Sequence, residues 1–179
     1  FISFLTVTNS YSQWTQSSSG INGGNVKCMA AGGSSVYAGT NLYGVYRSTD
    51  NGVTWFQTAL NNKTVYSLVV SGSNIYAGTS LYGLYISSNN GDSWIQTSLN
   101  SQIIYSMYVN GNNIYCGTDQ GVYISSNNGA NWTPSGFSTN EIYSICVTGG
   151  TIYAGVFIAA GVYKSTNNGV TWSSIYFYD

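Results

Sequence analysis

Histidine is absent from the 179 residues, and charge is nearly so: Lys and Arg number four, Asp and Glu five, for a net charge of −1. Without an imidazole, no His-based nucleophile triad can be assembled. The three cysteines, Cys28, Cys116 and Cys146, form no CxxC pair, so no zinc site is expected. No other metal and no cofactor is expected either. The only bases are Lys27, Arg47, Lys63 and Lys164. They make no basic patch, which argues against nucleic acid as a partner, because that binding leans on phosphate neutralisation. An acidic membrane surface is disfavoured for the same reason. There is one proline, Pro134. No apolar run reaches the roughly 18 residues that a membrane span needs. Charged residues make up 5% of the chain, against about 25% in typical soluble proteins. Tyrosine, glycine, serine, asparagine and threonine take their place, so the surface should be polar yet nearly uncharged.

What is present is a repeat. Ser48–Trp55 (STDNGVTW) returns as Ser87–Trp94 (SSNNGDSW), Ser125–Trp132 (SSNNGANW) and Ser165–Trp172 (STNNGVTW). The tryptophans Trp55, Trp94, Trp132 and Trp172 are 39, 38 and 40 residues apart. A period near forty marks a repeat architecture. In the second unit, Val65–Val70, Ile75–Thr79, Leu84–Ser87 and Ser93–Thr97 read as four short strands. They are rich in β-branched and aromatic residues, separated by Gly/Asn/Ser turns, with no helical period. Four antiparallel strands in about forty residues match one blade of a β-propeller. The expected fold is therefore all-β, a partial propeller. Residues 13–24 form a latch strand and linker, and the blades are 25–62, 63–101, 102–140 and 141–179. Trp14-Thr15-Gln16 looks like an outer strand lacking its own first three. The fourth unit already carries an outer strand (Thr171–Phe177), so further blades are expected beyond Asp179. A closed four-bladed ring is the alternative.

The recurrent box has a mechanical reading. The side-chain oxygen of Asp50 can accept backbone N–H groups across the turn, Gly52 can take positive φ, and Trp55 can cover the contact between sheets. Asn89, Asn127 and Asn167 keep one acceptor oxygen without the charge. Ser48, Ser87, Ser125 and Ser165 open the boxes, and Gly91, Gly129 and Gly169 repeat Gly52. The pattern Ser/Thr-x-Asp-x-Gly-x-x-Trp between third and fourth strands resembles the Asp-box, or BNR, repeat. That repeat occurs in sialidases, xyloglucan-degrading hydrolases, sortilin-type receptors and photosystem II assembly factors. The resemblance covers residues 25 to 177. It implies a propeller fold, with the box as a structural turn away from the catalytic face. The low-charge, Tyr/Asn/Ser-rich style also resembles repeat regions of secreted Bacteroidetes-type surface proteins.

Residues 1–12 begin with the apolar Phe1–Val7, and Ser10-Tyr11-Ser12 puts small residues two apart. This resembles the tail of a secretory signal peptide, so the mature protein is expected to be exported, secreted or at the cell surface. A worn repeat is the alternative.

In an antiparallel meander, the box turns share one end with the first turns of each unit. The loops between second and third strands share the other end with the connections between units. Those loops vary: Asn41-Leu42-Tyr43, Ser80-Leu81-Tyr82, Asp119-Gln120 and Phe157–Ala160. Binding function concentrates on variable loops held by a rigid scaffold. Tyr43, Tyr82 and Phe157 are the candidate ring contacts, with Asp119, Gln120, Lys63 and Glu141 beside them. They suit a protein or glycan surface, although tyrosines in such loops also pack on the next blade. A sialidase needs three arginines, and this chain has only Arg47. Of Asp50, Asp92, Asp119, Glu141 and Asp179, only Asp119 and Glu141 could form a glycosidase pair; two solvated loop acids is the alternative. The expected function is a non-enzymatic binding or structural module of a larger exported protein. A lectin-like module and a hydrolase fragment with its catalytic residues elsewhere are the alternatives.

Overall fold

The computed structural model describes residues 19–21, 24–138, 140–156 and 161–175. The expected signal-peptide tail and nearly all of the latch strand lie outside these. Among the described residues there is no helix, and hence none long and apolar enough to cross a membrane. Sixteen strands among the described residues form four antiparallel sheets. The first contains β1 (Val26–Gly32), β2 (Ser35–Thr40), β3 (Val45–Ser48) and β4 (Phe56–Gln57). The second contains β5 (Val65–Ser71), β6 (Asn74–Thr79), β7 (Leu84–Ser87) and β8 (Ile95–Gln96). The third contains β9 (Ile104–Asn110), β10 (Asn113–Thr118), β11 (Gly121–Ser125) and β12 (Thr133–Pro134). The fourth contains β13 (Ile142–Thr148), β14 (Thr151–Val156), β15 (Gly161–Ser165) and β16 (Ser173–Ile175). Each sheet is a simple meander.

The outer strands are shorter than the composition suggests. The second sheet's fourth strand is Ile95–Gln96, not Ser93–Thr97. The Ser93 N–H is taken by the Asn89 side chain at 3.0 Å, so that end of the expected strand belongs to the turn.

The sheets stack through alternation in their second strands. Side chains on a strand point to opposite faces in turn. Tyr37 on β2 packs into a core with Val65, Leu68, Ile75 and Ala77 of the second sheet. Tyr76 meets Ile104, Met107, Ile114 and Cys116 of the third in the same way. Tyr115 meets Ile142, Ile145, Ile152 and Ala154 of the fourth. A large ring thus faces forward from each of the first three sheets, and a small residue (Ala77, Cys116, Ala154) receives it from behind. Glycine brings the sheets closer still: a Cβ on Gly78 would lie 2.6 Å from Ile104, and one on Gly39 2.8 Å from Val65. Each fully buried Ile or Val contributes about 1.5–3 kcal/mol, so the interfaces between sheets, rather than any one sheet, hold the array together.

Contact between neighbouring sheets is densest along β1, β5, β9 and β13. The sheets therefore fan outward from these first strands, which gathers the four strands along one axis. This is the arrangement of a partial β-propeller.

The three thiols are free. Cys116 is fully buried, and burial pushes its pKa up. Half-buried Cys28 is pushed up to about 12, chiefly by desolvation. Free cysteines are usually buried, but Cys146 is exposed. It lies on the face of β13 that no other described sheet covers.

Candidate functional site

The two ends of the array are built differently. At one end, each box is closed by its own side chains. The Ser48 hydroxyl accepts the Gly52 N–H at 2.8 Å and donates to Asp50 Oδ1 at 2.8 Å. The same Oδ1 accepts the Thr54 N–H at 2.8 Å. The Trp55 indole N–H donates to the Gly52 carbonyl at 3.0 Å. The hydroxyls of Ser87, Ser125 and Ser165 each hold Gly91, Gly129 and Gly169 at 2.9 Å. Trp94, Trp132 and Trp172 each donate to their glycine carbonyl.

The exchange of Asp for Asn leaves this geometry intact. Oδ1 of Asn89, Asn127 and Asn167 accepts the N–H of Ser93, Asn131 and Thr171 at 2.9–3.0 Å. At the second side-chain position, Asp50 Oδ2 accepts from the Thr54 hydroxyl at 2.5 Å. Asn89 and Asn167 instead donate through Nδ2 to Ser93 and Thr171 at 2.9 and 2.8 Å. A hydroxyl serves either direction, so both side chains fit. The Thr54 side chain and N–H, with Ser48, pull the Asp50 carboxyl down to about 2. The residue between Asx and Gly is a further requirement: Asn51, Asn90, Asn128 and Asn168 all have φ between 57° and 60°. Asn-Gly is the pair that best accepts two successive positive φ values. The boxes also link the sheets, through Ala59 N–H to Gly91 O at 3.0 Å and Gly136 N–H to Gly169 O at 2.8 Å.

At the other end, the three described loops are tied down at their bases, and their tips are braced too: the Leu42 N–H donates to the Thr64 hydroxyl at 3.1 Å, and the Tyr43 and Tyr82 carbonyls accept from the Gln57 and Gln96 side chains at 2.7 and 2.8 Å. The Thr40 hydroxyl and N–H both donate to the Gly44 carbonyl, at 2.8 and 2.9 Å. Thr79 repeats this with Gly83, and the Thr118 hydroxyl donates to Gly121 at 2.9 Å. Gly44 and Gly83 donate to Lys63 and Gln102 in the connections between sheets. Above these bases, Leu42 and Leu81 have φ of 70° and 68° and are 63% and 65% exposed. Positive φ at a bulky residue is rare and costs about 1–3 kcal/mol. Tyr43 and Tyr82 follow them, each exposed.

Lys63 places its ammonium 3.9 Å from the centroid of the Tyr82 ring, and 5.6 Å from that of Tyr85. Gly24, one repeat earlier, stands beside Tyr43 in the equivalent position: a Cβ there would lie 3.1 Å from the ring. Asp119 Oδ1 accepts the Ile103 N–H at 2.9 Å. The Gln120 N–H donates to the Thr118 hydroxyl at 3.0 Å, and its side chain is exposed. Glu141 accepts the Tyr143 hydroxyl at 3.2 Å. Phe157 lies outside the described residues. Lys63 and Tyr82 are thus brought together, whereas Asp119 and Glu141 each engage a different partner. Both also act on Tyr105, whose pKa is raised first by burial, then by Tyr143, then by the charges of Glu141 and Asp119.

Tyr66, Tyr105 and Tyr143 stand near this end of the axis and were not singled out from the sequence. Their equivalent places in the repeat were visible, with Lys27 in the first unit. What brings them together is not local. Hollows of about 500 and 470 Å³ lie at the box end. They recur at equivalent junctions between sheets, with Ile124 in one and Ile86 in the other, and follow from the stacking itself.

No protein-family model and no curated protein matches the sequence. Solved structures do. An ancestral GH74 enzyme is similar at 30% identity and a TM-score of 0.75, over 88% of this chain and 25% of that one. The GH74 xyloglucanase from Xanthomonas campestris is similar at 16% identity and a TM-score of 0.67, over 84% of this chain and 30% of that one. YCF48 bound to D1 peptide is similar at 14% identity and a TM-score of 0.66, over 84% of this chain and 53% of that one. This chain spans about a quarter of the ancestral enzyme and about half of YCF48. These neighbours are β-propellers, which agrees with the fan of four sheets.

Proposed function

We propose that this chain is a non-enzymatic recognition segment of an Asp-box propeller, part of a larger exported protein, with its partner held on the variable-loop end. The observation that carries this reading is the pair Leu42-Tyr43 and Leu81-Tyr82. Apolar and aromatic side chains stand exposed there on a backbone held in a costly conformation by a hydrogen-bonded base. Strain of that kind persists only where the surroundings over-determine it, and it gathers at ligand clamps. Further blades of the same protein would complete the ring.

The partner is a protein surface or a glycan. YCF48 is bound to a peptide, and the GH74 neighbours include a xyloglucanase, so propellers of this kind serve both classes. A hydrolase reading is the weaker one. It would rest on Asp119 and Glu141 alone, and each of these already holds local structure, through a main-chain N–H and a tyrosine hydroxyl.

The test is a peptide and glycan array probed with the protein and with its Tyr43→Ala and Tyr82→Ala variants. Reproducible binding that falls at least about tenfold in either variant supports the reading; one lost ring contact accounts for a change of that order. Binding indifferent to both substitutions, or turnover of any array glycan, overturns it.

A further inference from the structure

We infer that the boxes are latent modification sites, each guarded by its buried serine hydroxyl. The four boxes contain the pairs Asn51-Gly52, Asn90-Gly91, Asn128-Gly129 and Asn168-Gly169. Asparagine is among the thermolabile residues, and a following glycine has no Cβ to hinder its nitrogen. Hydroxide from the solvent takes the proton of the glycine amide, and that nitrogen bonds to Cγ of the asparagine. The Cγ–Nδ2 bond breaks, and the departing nitrogen takes a proton back from water and leaves as ammonia. Water then opens the five-membered imide at either carbonyl. One product is aspartate. The other is isoaspartate, in which the main chain runs through the side-chain methylene.

The nitrogen that must attack is the one that each box holds. The N–H of Gly52 donates to Ser48 at 2.8 Å, and those of Gly91, Gly129 and Gly169 donate to Ser87, Ser125 and Ser165 at 2.9 Å. The proton of each serine is committed in turn, to Oδ1 of Asp50, Asn89, Asn127 or Asn167 at 2.8–3.0 Å. A lone pair of the hydroxyl is thereby kept on the glycine amide. The four serines are at most 1% exposed, so water does not compete for this bond. The glycines are buried as well, whereas Asn51, Asn90, Asn128 and Asn168 are exposed. The side chain that would be attacked is open to solvent, and the attacking nitrogen alone is withheld.

Conversion therefore waits on the opening of a box, a local event with its own free energy. The damage is not reversed on reclosing. Isoaspartate lengthens the main chain by a methylene carbon at a residue whose φ of 57–60° is set by the turn, so the box no longer fits its own bonds. A chain modified while open is lost to refolding. The boxes are not held equally. Asn128 is anchored further, by its N–H to the Asn112 carbonyl at 2.9 Å and by Nδ2 to Asn112 Oδ1 at 3.2 Å. Asn90 accepts the Tyr37 hydroxyl at 3.5 Å. Asn128 should thus be the slowest of the four to convert.

This guard belongs to the box end and does not depend on what the loop tips bind. Three samples test it in mildly alkaline buffer: the unaltered chain, the same chain in urea, and Ser87→Ala, with far-UV circular dichroism as the check of folding. Digestion and mass spectrometry follow aspartate and isoaspartate at each of the four asparagines. In the folded, unaltered chain every pair should convert at least about tenfold more slowly than in urea, with Asn128 the slowest. In folded Ser87→Ala, conversion at Asn90 should rise about tenfold while the other three boxes stay as they were; one buried hydrogen bond accounts for a change of that order. An unchanged rate at Asn90 in the folded variant overturns the guard. So do equal rates in the folded and urea-unfolded chains. If Ser87→Ala unfolds, hydrogen exchange of the glycine amides in the unaltered chain decides. Slow exchange at Gly52, Gly91, Gly129 and Gly169 that tracks the conversion rate from box to box supports the guard. Amides that exchange as freely as in urea while the asparagines persist overturn it.

Discussion

The box end and the loop end face the same solvent on the same scaffold, yet they spend their hydrogen bonds in opposite ways. In a box, the serine hydroxyl, the Asx oxygen and the tryptophan N–H are all consumed within eight residues. Nothing polar is left pointing outward by necessity, so four boxes can be nearly identical. At the loop end, the bonds hold the backbone, through Thr79, Gly83 and the connection to the next sheet at the base and through Gln57 and Gln96 at the Tyr43 and Tyr82 carbonyls, and leave the Leu and Tyr side chains exposed. The tips are free to differ in length and chemistry. The lesson is that invariance marks where the chain must close on itself, and variation marks where it is free to meet something else.

The sharpest way to break this contrast is at a loop base. A Cβ on Gly83 would lie 1.8 Å from the Leu99 carbonyl oxygen, at a φ of +63°. Gly83→Ala should therefore destabilise the chain by about 3 kcal/mol or more, since backbone must move and φ is unfavourable. Urea unfolding followed by tryptophan fluorescence would measure this. A smaller effect is expected at a box. Ser87→Ala removes the buried hydroxyl that holds Gly91 and should cost about 1–2 kcal/mol in the same assay. If Ser87→Ala cost more than Gly83→Ala, the rigidity assigned to the loop base would be misplaced.

The smallest effect is a pH dependence confined to the first box. The folded pKa of Asp50, about 2, lies below its ordinary value of 3.8. Its contribution to stability is therefore fully present above the ordinary value and is lost as pH falls through about 2. Asn89, Asn127 and Asn167 do not titrate, so Asp50→Asn should flatten the acid limb of a melting-temperature profile between pH 4 and 2. An unchanged profile would mean that Asp50 does not hold its turn as described.

Much of the box end was legible beforehand, because its bonds are local: Ser48, Asp50, Gly52 and Trp55 meet within one turn. One local requirement was still overlooked, the asparagine at Asn51, Asn90, Asn128 and Asn168. It stands in every copy, and its positive φ explains why. The loop end was legible as a set of variable segments but not as geometry. The cation of Lys63 on Tyr82 and the Thr–Gly clamps depend on a connection folding back from the next unit. The row formed by Tyr66, Tyr105 and Tyr143 was least legible. Tyr66, Tyr105 and Tyr143 occupy one position of the repeat, yet nothing in the repeat says that this position is bulged or that the first strands share an axis.

By itself, the sequence determined the repeat of about forty residues, the four-stranded unit and the turn chemistry that closes it. These follow from contacts between residues a few places apart, where spacing alone decides who meets whom. The tertiary structure decided which units face each other, which side of a strand looks along the axis, and hence which side chains from distant repeats stand together. Those outcomes depend on the slip in strand pairing and on how closely Gly39 and Gly78 let neighbouring sheets approach. They are properties of packing between sheets, which no single unit contains.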